Sequence, residues 1–154
     1  MIRIPDILAT NQILLNVEAE NISDVVTRLG ELLKSHSAIT NWDGFNAAIQ
    51  KNAAMSSTAI GNGLCLPHAR GNFTLQMVMA VARLAVPLPA KSGSGMIQQV
   101  FLICVPHAMS SDHLRLVGAL ARIFNDESAV SDLLIAPDPT SYLKTLSSEE
   151  LRLT

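Results

Sequence analysis

Two histidines stand where an imidazole could do chemistry on phosphorus. His68 closes the string Ser57-Thr58-Ala59-Ile60-Gly61-Asn62-Gly63-Leu64-Cys65-Leu66-Pro67-His68, with Ala69-Arg70 behind it. Proline fixes its own φ and pushes the preceding residue toward extended backbone. Leu64, Cys65 and Leu66 therefore read as a short apolar strand with His68 at its end, a usual place for a reactive side chain on a rigid scaffold. His113 follows Ser110-Ser111-Asp112, any of which can cap a helix, and falls in that helix's first turn. The positive end of the helix dipole disfavours a protonated imidazole there. A neutral ring can donate one hydrogen bond to an anion, and the backbone N–H groups of a helix start hold phosphate. His68 then reads as a nucleophile acting through the lone pair of a neutral ring nitrogen, with His113 as the anion stabiliser. The competing reading makes His68 a structural strand-end histidine, and spacing alone leaves both open.

The other reactive side chains support weaker readings. Cys65-Leu66-Pro67-His68 and Cys104-Val105-Pro106-His107 share a Cys-apolar-Pro-His pattern, so Cys65, His68, Cys104 and His107 form a minor candidate for a tetrahedral zinc site. Residues three apart in a strand face opposite ways, which argues against it. A cysteine nucleophile is disfavoured because burial in an apolar strand raises the thiol pKa. His36 ends a helical pattern, where a cation favours the helix C-terminus. Arg70 can pair with charge added at His68, or be an ordinary surface arginine.

These residues need elements to hold them. Ile13-Leu14-Leu15 reads as a strand. Asn21 or Ser23 caps a helix with apolar residues at 22, 25, 26, 29, 32 and 33, and a second helix begins near Asn41 and carries Trp42, Phe45, Ala48 and Ile49. Asn62-Gly63 between apolar runs signals a hairpin. The near-continuous apolar runs Leu75 to Val86 and Val100 to Val105 suit central strands covered on both faces. One helix carries Leu114, Val117, Leu120, Ala121 and Phe124, and a last one follows Asp138-Pro139. The expected fold is α/β, a single central mixed sheet flanked by helices on both faces.

The chain has 154 residues, 49% of them hydrophobic and 16% charged, which fits one globular domain over 1–154. A net charge of -2 without a basic block argues against nucleic acid or an anionic membrane as main partner. No apolar run approaches the about 20 residues of a bilayer span, and no signal-peptide core is present. Two cysteines make no disulfide framework, so the expected location is the cytoplasm with reduced thiols.

The string Ser57-Thr58-x-Ile60-Gly61-Asn62-Gly63-x-x-x-Pro67-His68 resembles the phosphorylation motif of enzyme IIA domains of the fructose/mannitol class. These belong to the bacterial phosphoenolpyruvate-dependent sugar phosphotransferase system, and nitrogen-regulatory IIA proteins are of the same type. Val100 to Pro106 followed by Asp112-His113-Leu114 is similar to the family's second histidine segment. The resemblance implies that His68 accepts a phosphoryl group from an HPr-type phosphocarrier. It then passes the group to a IIB domain, or its phosphorylation state acts on a regulatory target. His113 would support the phosphoryl group, with Arg70, Ser57 and Thr58 as further contacts around the anion. No metal or organic cofactor is implied, because such transfer depends on positioning and electrostatics. Family members carry Arg-Glu where this chain has Asn52 and Ala53. Asparagine cannot replace a bidentate guanidinium, so a regulatory binding module with weak or no transfer is the second expectation.

Overall fold

The computed structural model describes residues 2–55, 59–90 and 95–154, and the side chains of 52–55, 59 and 60 lie outside that description. Two long strands, β5 (Val78–Pro89) and β6 (Met96–Val105), pair antiparallel at the centre of the sheet. Outside β5 lies β1 (Ile13–Val17), parallel to it. Outside β6 run β3 (Leu64–Cys65) and β4 (His68–Arg70), both parallel to it, and β2 (Ala59–Gly61) pairs antiparallel with β3 at the edge. The result is one mixed six-stranded sheet.

Alternation along β5 and β6 explains why these runs are almost continuously apolar. Met79, Val81, Phe101, Ile103 and Val105 enter a cluster on one face, while Val78, Ala80, Ala82, Val100, Leu102 and Cys104 enter a second on the other. Both faces are covered, so neither set of alternate positions can be polar without a partner. Helices α1 (Ile4–Ile7), α4 (Ser110–Phe124), α5 (Glu127–Ile135) and α6 (Pro139–Leu153) cover the first face. Helices α2 (Ile22–Leu33) and α3 (Trp42–Met55) cover the second. Val25, Val26, Leu29 and Leu33 are fully buried, as their 3.6-residue spacing predicts. Asn21 and Asp138 cap their helices by accepting from the N–H groups of Asp24 and Ser141.

The structure departs from the sequence reading at several places. Leu75 is 76% exposed, and β5 begins only at Val78. Two polar residues inside the central strands, Arg83 and Gln99, are buried. Arg83 donates through Nη1 to the carbonyls of Leu133 and Ala136 at the end of α5, each at 2.8 Å. Gln99 accepts from the Tyr142 hydroxyl at 2.5 Å. His36 Nδ1 accepts from the Ala38 N–H at 3.0 Å, a contact the helix-end reading did not include. Helices α1 and α5 escape the sequence reading. The first is a single turn; the second is signalled mainly by its Asp126 cap, which accepts from the Ala129 N–H.

Candidate functional site

His68 does not end a strand. Strand β3 pairs Leu64 with Gln99 and Cys65 with Val100; β4 pairs His68 with Ile103, Ala69 with Cys104 and Arg70 with Val105. The offset is the same throughout, so β3 and β4 are one strand interrupted at Leu66-Pro67. Proline lacks an N–H and breaks the ladder there, yet the Pro67 carbonyl still accepts from the Ile103 N–H at 3.0 Å, which holds the register. His68 is the first residue after the break. It faces the side on which α4 packs, and Arg70, two residues on, faces the same way.

The hairpin turn that enters this strand is left-handed at Asn62 (φ 54°) and Gly63 (φ 81°), a conformation open to Asn and Gly. The Asn62 amide donates to the Phe124 carbonyl at 2.5 Å, satisfying one of the unpaired carbonyls at the C-terminus of α4. At the other end of α4, Arg70 Nη1 donates to Ser110 Oγ at 2.5 Å. The segment carrying His68 thus grips both ends of the helix carrying His113. The rings of His68 and His113 stand 4.8 Å apart between centroids, inclined at 45°.

Serine or aspartate capping of α4 is not realised. The helix begins at Ser110 behind a 3₁₀ turn at His107–Met109, and its N-cap, Met109, makes no side-chain cap bond. His113 remains in the first turn as the fourth helical residue. Ser110 is instead tied up with Arg70, and its hydroxyl lies 3.4 Å from the His107 carbonyl.

His68 Nδ1 lies 3.3 Å from the Leu66 carbonyl oxygen. A carbonyl only accepts, so this contact selects the Nδ1–H tautomer and puts the ring's lone pair on Nε2. His113 Nε2 is buried and has no hydrogen-bond partner. Burial first, and then the proximity of His68 and Arg70, hold the His113 pKa below its ordinary value. The arrangement joins a ring nitrogen with a lone pair, a neutral buried N–H donor class, a guanidinium and an uncapped helix start. Such a set can hold and transfer an anionic group.

The remaining sequence-predicted residues fall as follows. Arg70 is in the group. Ser57 and Thr58 lie outside the described residues, and Asn52 and Ala53 belong to the end of α3, whose side chains there are not described. Ser110, read only as a cap, and Asn62, read only as a turn, are additional members. Their signal was available only as spacing: Ser110 sits one helical turn before His113. The zinc reading fails on the shared register. Cys65 and Cys104 point into the cluster under α2 and α3, whereas His68 faces α4 and His107 is exposed beyond β6. Among the described residues, no three His, Cys, Asp or Glu gather as a metal cluster. Burial pushes the Cys104 thiol up to about 12, consistent with an inert core thiol. Among the described residues, no helix is long and apolar enough to cross a membrane.

A family model described as "Phosphoenolpyruvate-dependent sugar phosphotransferase system, EIIA 2" matches residues 6–149. The chain is 26% identical over 81 residues to the PTS system fructose-specific EIIABC component of Bacillus subtilis, a match spanning 53% of this chain and 13% of that protein. The crystal structure of nitrogen regulatory protein IIA-Ntr from Neisseria meningitidis superposes with a TM-score of 0.83 at 23% identity, covering 93% of this chain and 98% of that one. The IIA-mannitol enzyme of Escherichia coli, solved in complex with phosphorylated enzyme IIB-mannitol, superposes with a TM-score of 0.78 at 15% identity, covering 92% of this chain and 97% of that one.

Proposed function

Because the chain belongs to the EIIA 2 family of the phosphoenolpyruvate-dependent sugar phosphotransferase system, we propose that it works as one phosphoryl-transfer unit over residues 1–154, with His68 as the phosphoryl acceptor. The observation that carries this reading is the pairing of His68 and His113 at 4.8 Å, with the His113 Nε2 buried and unpartnered. His68 Nε2 uses its lone pair to form a bond to phosphorus, and the bond between phosphorus and the donor's histidine nitrogen breaks, its electron pair leaving with the donor. An HPr-type phosphocarrier is the donor class. Neutral His113 donates to a phosphoryl oxygen, and Arg70 turns from Ser110 to add a charge-assisted bond. Such a site brings its donors preassembled and needs no metal or organic cofactor. The outgoing transfer reverses these steps toward a IIB domain, the partner class seen with the Escherichia coli relative.

The test is intact mass after incubation with phosphoenolpyruvate, enzyme I and an HPr-type carrier. The expected result is one added phosphoryl group, absent in a folded His68→Ala variant. An unmodified chain, under conditions that phosphorylate a control IIA domain, overturns the reading. Asn52 and Ala53 support a second reading, a regulatory module with slow transfer. Asn52→Arg separates the two: a large gain in phosphorylation rate supports it, and no gain removes its ground.

A further inference from the structure

A second cavity lies away from the histidine pair. It occupies about 380 Å³ between α4, the C-terminal end of α6 and the chain before α1. That size suits a small ligand, whose sites run from about 300 to 1,000 Å³. Arg115, Gly118, Ala119 and Arg122 form one stripe of α4 at helical spacing and line one wall, while Arg3 and Glu150 lie on the opposite side. The cavity exists because the stripe is small at its middle. A Cβ on Gly118 would stand 3.6 Å from Arg122 Nη1, so the Arg122 guanidinium folds back over the bare glycine. Ile2 and Leu114, the latter 71% exposed, give the cavity an apolar rim.

Arg3, Arg115 and Arg122 share this cavity with Asp112, Glu150 and Thr154. Arg3, Arg115 and Arg122 make no ion pair; the two ion pairs among the described residues both use Arg152. Of the two side-chain carboxylates lining the cavity, Glu150 turns both oxygens toward the Ile4 N–H, at 3.1 and 3.2 Å. Burial holds its carboxyl above the usual range, against the opposing pull of the Ile4 N–H and Arg3. Asp112 lies at the far end of the stripe. Three guanidiniums outside the described ion pairs, beside an apolar wall, have the chemistry to hold an anion with a hydrophobic body.

We propose that this cavity binds a small organic anion, a carboxylate or phosphomonoester with an apolar body, through Arg3, Arg115 and Arg122, as a site separate from His68. Calorimetric titration and amide NMR mapping of the full chain with phenyl phosphate test this, with benzoate as the carboxylate arm and benzyl alcohol as the neutral control. Saturable one-to-one binding of at least one anion is expected, with shifts on residues 112–122. The double variant Arg115→Ala/Arg122→Ala should weaken it by about tenfold or more. Gly118→Leu should abolish it by filling the cavity, while circular dichroism and thermal midpoint report an intact fold. Arg70→Ala should leave it unchanged. The proposal is overturned if neither anion saturates by concentrations on the order of 10 mM. It is also overturned if benzyl alcohol binds as tightly, if Gly118→Leu binds normally, or if Arg70→Ala rather than the double variant removes binding.

Discussion

The charge on residue 68 should set the protonation of His113. In the resting protein His68 and Arg70 both push the His113 pKa down, after burial. A negative group at position 68 reverses the sign of the His68 contribution. At a ring separation of 4.8 Å, one unit charge interacts with another by about 3 kcal/mol at an effective dielectric near 20, and by about 1 kcal/mol in water. One pH unit corresponds to about 1.4 kcal/mol, so the midpoint should rise by about one to two pH units. His68→Glu supplies a stable carboxylate, and His68→Gln removes the imidazole without adding charge. Imidazole NMR titration of ¹⁵N-histidine-labelled protein reads the His113 midpoint directly. The expected order is His68→Glu highest, His68→Gln next, native protein lowest. Equal midpoints in all three, with α4 still packed, would refute electrostatic sharing between the two rings. A lower midpoint in His68→Glu would reverse the reasoning altogether. Phosphorylated native protein should behave as His68→Glu does, more strongly, because a phosphoryl group carries more than one negative charge at neutral pH.

Other outcomes follow from the same geometry. Asn62→Ala should destabilise the fold by about 2 kcal/mol in urea denaturation, about half from the left-handed backbone and half from the lost bond to Phe124. Asn62→Gly should restore the backbone half and leave the other half missing. Arg83→Met leaves the Leu133 and Ala136 carbonyls without their donor and should cost about 3 kcal/mol in the same measurement. Acid sensitivity should also carry a His113 component. Its folded pKa lies below the ordinary 6.5, so the stability held by the neutral ring is complete above pH 6.5 and is lost as pH falls through the depressed value. A stability–pH profile of His113→Gln should therefore be flatter than the native one just below pH 6.5, and parallel profiles would contradict the shift.

Much of the positioning frame was readable from residue types. The alternating burial of β5 and β6 follows from their near-continuous apolar runs, and the caps at Asn21 and Asp138 follow from side-chain oxygens ahead of helical spacing. Arg83 interrupted an apolar run for a reason invisible in one dimension: its partners are carbonyls 50 and 53 residues away. Helix α4 was legible as a helix, but its start was not. Three consecutive capping residues gave three equivalent boundaries, and the Arg70–Ser110 bond, across 40 residues, removed one cap from the competition.

The sequence by itself determined that Pro67 interrupts a strand just before His68 and that His113 sits in a helix's first turn, because backbone sterics and helical periodicity act over a few residues. Only the tertiary structure decided that the two rings meet. That depends on β4 holding the register of β3 along β6, which turns His68 and Arg70 to the face under α4 and sends Cys65 to the other. It depends equally on Asn62 and Arg70 fastening the two ends of α4. Contacts between distant segments obey packing and charge, neither of which is written in local spacing.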